Sequence, residues 1–206
     1  MKASEQTDAS APASGAKATY HHGNLKHALI EAGLAALAHT EVDALSLRQI
    51  AKDVGVTANA AYRHFDDKDA LLCAMAAEGF RRFALAQQQA VAGVAQPEER
   101  LKASGRAYVT FAIAYPALYR LMFQCVRGDL ADPELAQAAT GAMAVLLEAS
   151  SSLLQLPPND ERVRVAAAGC WSLVHGLSAL VQGGQLAVFG MPDDALIDQV
   201  LALPSM

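Results

Sequence analysis

The sequence predicts an all-α protein: three small N-terminal helices, one long connecting helix, then a C-terminal helical bundle. Three observations predict it. The 206 residues are 53% hydrophobic but only 6% aromatic, with abundant Ala and Leu, a composition that favours helices over strands. Apolar residues recur every three or four positions, and no alternating strand pattern interrupts them. Pro and Gly clusters stand between the periodic stretches and not inside them.

Each element has its own signal. Leu25, Leu29, Ala32, Leu34 and Leu37 trace one stripe, with Asn24 as the expected N-cap and a fade near His39. Residues 40–43 read as a polar link. Ser46-Leu47-Arg48-Gln49 is a capping-box pattern: Ser46 caps the Gln49 amide and Gln49 reaches back. Gly55 ends that second helix where a left-handed backbone is needed. Thr57 caps a third helix running to about Phe65, and Asp67 caps a long fourth one from Lys68 to about Ala92. Further helices are expected at about 97–114, 116–125, 132–155, 159–182 and 193–203. Their separators are Pro116, Arg127-Gly128-Asp129, Pro157-Pro158-Asn159, Gly183-Gly184 and Pro192.

Residues 46–65 read as a helix-turn-helix. Two short helices crossing steeply need a small residue at the crossing, which Ala51 supplies, and a tight turn, which Gly55 supplies. Val56, Ala61 and Phe65 are placed to hold the second helix on the first. The remaining face suits DNA in the major groove. Thr57, Tyr62, His64 and Lys68 are candidate phosphate contacts, the last beside a helix N-terminus. Asn59 is placed to read a base edge, Arg48 to reach guanine or phosphate, and Ala58 and Ala60 to touch a thymine methyl. Arg63 belongs to the same candidate surface. A plain packing motif remains the alternative.

Net charge gives this reading no help. It is −5 overall; residues 1–83 hold nine Lys+Arg against ten Asp+Glu, and the acidity lies mainly beyond them. Operator affinity must come from a local cluster. Cys73, Cys125 and Cys170 are odd in number with no metal-ligand spacing, so they read as small buried hydrophobes in a reducing cytoplasm. Residues 1–19 read as a disordered arm without the apolar core of a signal peptide. Residues 165–192 lack any Asp, Glu, Lys or Arg. Their His, Gln, Gly, Ala and Ser content argues for a helix between protein surfaces and against a membrane span.

The C-terminal part reads as a binding and dimerisation unit. Ala168, Ser172, Gly176, Ala179 and Gly183 share one helix face, small enough for another helix to approach closely. With 193–203 they suggest two helices per subunit in a dimer, close packing within one subunit being the alternative. Phe80, Phe83, Tyr108, Phe111, Tyr115, Tyr119, Met122, Phe123, Trp171 and His175 are pocket candidates. Aromatics with few charges imply an apolar or aromatic small-molecule effector. His175 has no His or Cys at i±3 or i±4, so it reads as a satisfied core histidine, not a metal ligand. No Glu-x-x-His pair, nucleophile elbow or phosphate loop occurs, so neither a metal, a cofactor nor an enzyme is expected.

Residues 24–72 resemble the DNA-binding domain of the tetracycline-repressor (TetR) family. The resemblance rests on the run from Leu47 to Thr57, then Ala61-Tyr62-Arg63-His64-Phe65 and Lys68 to Leu72. Tyr20-His21-His22-Gly23-Asn24-Leu25 and Trp171-Ser172-Leu173-Val174-His175-Gly176-Leu177 resemble a subgroup with a Trp-His-Gly signature. The resemblance implies a cytoplasmic homodimeric repressor on a double-stranded DNA operator, with a DNA-binding domain at 20–67 and an effector and dimerisation domain at 68–206. It implies phosphate contacts at Thr57, Tyr62, His64 and Lys68, and base readers at Arg48, Ala58, Asn59 and Ala60. Two departures stand out: residues 40–43 contain no glycine, and Ala61 replaces a frequent proline. A helical ligand-binding module without operator binding is the competing reading.

Overall fold

The computed structural model describes residues 22–126 and 132–202. These form nine α-helices: α1 His22–Leu37, α2 Leu47–Asp53, α3 Ala58–Tyr62, α4 Lys68–Val91, α5 Pro97–Ala114, α6 Pro116–Cys125, α7 Pro133–Leu154, α8 Glu161–Gln182 and α9 Asp193–Leu201. No strand occurs among the described residues. The expected arm at 1–19 and the Arg127-Gly128-Asp129 separator lie outside them.

Helix starts follow their capping chemistry. Ser46, Thr57, Asp67, Asp132 and Asp160 each accept a hydrogen bond from a backbone N–H of the first turn. Pro97, Pro116 and Pro133 take the first helical position, where no N–H is needed.

Four expectations are corrected. Helix α1 starts at His22, so Asn24 lies inside it and is not its cap. Residues 42–44 are not a plain link but a 3₁₀ turn, and a second such turn follows α8 at Gln185–Phe189. Helix α3 ends at Tyr62, before Phe65. Only half of the capping box forms: Ser46 Oγ lies 3.5 Å from the Gln49 amide, while the Gln49 side chain donates forward to Asp53 Oδ1 at 2.8 Å.

Helix α4 is the spine. It packs on α1 at one end and on α5, α6 and α7 along the rest of its length. Two glycines set the close approaches. A Cβ at Gly33 of α1 would lie 2.8 Å from Met75 Sδ, and one at Gly79 of α4 would lie 2.8 Å from Met122 Cγ of α6. A chain of ion pairs adds a second tie. Lys26 of α1 meets Glu134 of α7 at 2.8 Å, Arg81 bridges Glu134 and Glu78, and Arg82 bridges Glu78 and Glu31 of α1. The Lys26 bond, then the Arg81 charge, outweigh burial and hold the Glu134 carboxyl below its usual range. These groups are about 40% exposed apart from Glu78, so each pair is worth under about 1 kcal/mol and the network's role is alignment.

Candidate functional site

The helix-turn-helix is built as its sequence demands. Gly55 has φ +80°, and its N–H reaches the Lys52 carbonyl at 3.0 Å while Val56 N–H reaches Ala51 at 2.9 Å. Those two bonds are the paired closures of a Schellman turn, which an L-residue at position 55 would strain. Ala51 and Ala61 are fully buried at the crossing, and Leu47, Ile50 and Phe65 complete the packed side.

The opposite side faces outward. Arg48, Thr57, Asn59, Tyr62 and Arg63 are exposed; Ala58, Ala60, His64 and Lys68 are half-buried around them. Thr57 Oγ1 accepts from Ala60 N–H at 3.2 Å, which leaves its O–H free to donate outward. Lys68 is less free than its sequence position suggests: its ammonium donates to the Asp43 carbonyl of the 3₁₀ turn at 2.9 Å. The α4 N-terminus beside it is already capped by Asp67, with Asp69 in the same turn, so the ammonium and not the helix end is its attraction for phosphate.

The second constellation lies in the bundle. A small cavity with about 40 Å³ of room, open at its mouth, sits between α4, α5, α6, α7 and α8. Of the sequence-expected residues, Phe80, Phe83, Tyr108, Phe123 and Trp171 line it, and Met122 does not. Phe111 is buried behind Phe83, with ring centroids 5.2 Å apart, and does not line it. Tyr115 is a correction: it is 54% exposed where α5 hands over to α6, its ring tilted against Phe111 with centroids 5.0 Å apart. The proline that starts α6 forces a bend there and swings Tyr115 outward.

Tyr119 and His175 stand behind the wall in a closed polar knot. His175 Nδ1 lies 2.7 Å from Tyr119 Oη and 2.9 Å from Tyr108 Oη; the two phenols are 3.0 Å apart, and Trp171 Nε1–H donates to Tyr108 Oη at 3.2 Å. Burial raises both phenols, so they stay protonated, and burial lowers His175. Nδ1 is therefore the acceptor of a neutral ring, with the proton on Nε2.

The sign of the pH effect follows. A histidine whose folded value is depressed binds its proton more readily unfolded. Stability is full above the unfolded value, about 6.5, and falls as pH drops below it. Urea midpoints are expected to be flat between pH 7 and 8 and to decline toward pH 5.5. The decline is expected to shrink in His175→Gln; an unchanged decline in that variant refutes the assignment.

Sequence reasoning missed Gln87 and the α7 wall of Ala139, Ala142, Met143 and Leu146. Gln87 had a signal: it continues the Phe80–Phe83 stripe of α4, a polar residue on an apolar face. It is only 4% exposed, its Nε2 donates to Ser104 Oγ at 3.0 Å, and its Oε1 has no partner. A larger open groove between α5 and α9 is lined by Glu99, Lys102, Arg106 and Asp198. Its charges pair with one another or with Asp194 on the open surface, which suits solvent better than an apolar guest.

The third feature is the outer face of α8. Ala168, Ser172, Gly176, Ala179 and Gly183 are all exposed, flanked by Val165, Leu173 and Leu180 and followed by Val188 and Phe189, which are 82% and 63% exposed. Ser172 Oγ donates to the Ala168 carbonyl at 2.8 Å, so the face offers little free polarity. Helix α8 is long and apolar enough to cross a membrane, yet its other side packs Val163, Ala167, Val174 and Leu177 into the bundle. Helix α9 is held on α5 by Arg106, which pairs with Asp194 and Asp198.

Comparison with known proteins agrees with this architecture. Residues 29–75 match the family model for bacterial regulatory proteins of the tetR family, and residues 101–203 match that for the tetracyclin repressor-like C-terminal domain. A Rhodococcus sp. RHA1 protein of unknown function is 31% identical over 92% of this chain and 95% of its own, with a TM-score of 0.76. A tetR-family regulatory protein from Rhodococcus RHA1 is 23% identical over 75% of this chain and 83% of its own, with a TM-score of 0.56. The transcriptional regulator FadR from Bacillus subtilis, solved with stearoyl-CoA, is 18% identical over 85% and 95%, with a TM-score of 0.62. Among curated proteins, none matches this chain.

Proposed function

Because this chain belongs to the tetR family of bacterial regulatory proteins, we propose that it represses transcription as a cytoplasmic homodimer on a palindromic operator, under the control of a small apolar effector. It is a DNA-binding transcriptional regulator, and we assign it no reaction. The observation that carries the proposal is the capped helix pair at 46–62, whose packed side is apolar and whose outward side is a run of hydrogen-bond donors.

In this reading Thr57, Tyr62, Arg63, His64 and Lys68 hold phosphates. Asn59 and Arg48 read bases, and Ala58 and Ala60 make apolar contacts. With so few polar readers, DNA shape carries part of the specificity. The reader occupies 20–67 and the effector and dimerisation domain 68–206. The Trp171, His175 and Gly176 positions support the Trp-His-Gly subgroup: the first two enter the polar knot and the third lies on the outer face.

Dimerisation through α8 is supported by the exposed small-residue face. The neighbouring turn at Gln185–Phe189 extends that apolar patch through exposed Val188 and Phe189, and α9 is the second helix of the interface in this reading. The effector acts through α4, which carries Lys68 at one end and Phe80, Phe83 and Gln87 at the cavity. Operator half-sites have a fixed separation, so a small shift of α4 misplaces the paired readers. Effectors that bind without changing operator affinity refute this switch.

A salt-dependent mobility-shift assay on the DNA upstream of its own gene tests operator binding. A specific shift that weakens with salt is expected. No specific shift at low salt, from a folded dimer, favours the module without operator binding. Tyr62→Phe is expected to weaken all sequences alike. Asn59→Ala is expected to relax preference at one base pair by about 1–3 kcal/mol. Equal weakening at every site removes Asn59 from the readers.

A further inference from the structure

We propose that Phe189 anchors one copy of this chain to a second: the turn after α8 lays its ring on the partner's Val165, with the two α8 helices antiparallel. This rests on the reading above that α8 is the dimer face. It names the side chain that holds the copies together and the direction in which they meet.

The case begins with exposure. Val188 and Phe189 stand 82% and 63% exposed, side by side, at the end of a turn whose other side is fixed. Leu186 of that turn is only 2% exposed, and Gly190 N–H closes on the Ala187 carbonyl at 3.1 Å. An apolar ring held out on a fixed turn loses little freedom when a partner covers it.

The face it extends is large enough for a stable contact. Val165, Leu173, Leu180, Val188 and Phe189 are 41–82% exposed and leave roughly 500 Å² uncovered; with the small residues between them the face reaches roughly 800 Å², one partner's share of a stable interface. Residues 165–192 carry no Asp, Glu, Lys or Arg, so the face offers nothing to a phosphate or to a charged partner.

Its shape is complementary to itself. The hollows, at Ala168, Gly169, Ser172 and Gly176, precede the large side chains of Leu180, Val188 and Phe189. Gly169 and Gly176 are one heptad apart inside α8, and a Cβ on either meets nothing within 4 Å of its own chain. Glycine weakens a helix relative to alanine, so both suit a backbone arriving from outside. A second copy turned end for end sets bumps against hollows, as a two-fold interface requires. With the axis at Gly176, the middle of the small-residue stripe, Gly183 lies opposite the partner's Gly169. The turn then carries Phe189 beyond it, to the end of α8 that holds the partner's Val165.

Sedimentation of the full-length protein over a concentration series reads the dimer constant. Phe189→Ala is expected to weaken the dimer about thirtyfold or more, because each dimer loses two such contacts. Circular dichroism is expected to show an unchanged fold, since the ring is exposed in the single chain. Leu85→Ala, which removes a side chain 53% exposed on α4, is expected to change neither. Phe189→Lys and Val165→Glu are each expected to weaken the dimer, and together in one chain to recover about tenfold of the loss.

A Phe189→Ala dimer of unchanged strength, beside a monomeric Gly176→Arg, overturns the anchor and leaves α8 as the interface. No recovery in the paired variant overturns the antiparallel contact. A wild-type chain that stays monomeric at every concentration, whether free or carried by phosphatidylcholine vesicles, overturns the anchor together with the dimer reading.

Discussion

Gly176→Arg is expected to leave the protein folded, halve its mass in solution and weaken operator binding by about a hundredfold or more. The monomer tolerates the substitution, because a Cβ at Gly176 meets nothing within 4 Å of its own chain. The proposed partner does not, because the small residues of α8 let two backbones approach closely and an arginine fills that space with charge. Loss of affinity follows from linkage: two tethered readers gain about 10²–10⁴ over one. Sedimentation gives the mass, circular dichroism the fold, and mobility shift the affinity. A folded dimer with unchanged affinity removes α8 from the interface.

Phe83→Ala is expected to cost about 3–5 kcal/mol, the range for deleting a buried phenylalanine. The Phe83 ring is 4% exposed and meets Tyr108 edge-on at 4.9 Å and Phe111 at 5.2 Å. It also separates the cavity from the core behind it, so truncation enlarges the site as it weakens the bundle. Urea unfolding at one fixed protein concentration measures the cost, since a dimer's stability depends on concentration. A loss below about 1 kcal/mol contradicts the packed wall described here.

Elements set by nearby residues were legible in the sequence. Ser46, Thr57 and Asp67 cap within three residues, Gly55 turns the chain within four, and Pro97, Pro116 and Pro133 fix helix starts by their own geometry. The misreadings fall where local signals compete. Helix α1 begins two residues before Asn24, although Asn is a good cap. Gln49 had two partners in reach, Ser46 behind and Asp53 ahead, and took the second. The 3₁₀ turns are too short to leave a periodic trace.

The site was legible in part. The outward face of α2 and α3 follows from helical spacing once Ala51 and Ala61 are known to be inside. The cavity depends on which helices meet, and no local spacing reports that. Tyr115 has the residue type of a pocket wall but lies at the bend between α5 and α6. Ala139, Ala142, Met143 and Leu146 have ordinary core chemistry and line the cavity only because α7 crosses α4 and α5. Lys26 and Glu134 are 108 residues apart and pair only in the folded chain.

Selection of bound DNA from a random pool tests the central claim most directly. A homodimer carrying one reader per subunit predicts an enriched inverted repeat, with half-site centres about 10 base pairs or a multiple apart, from one helical turn of DNA. Enrichment of a single unpaired half-site, or of no motif at all by a folded protein, contradicts it.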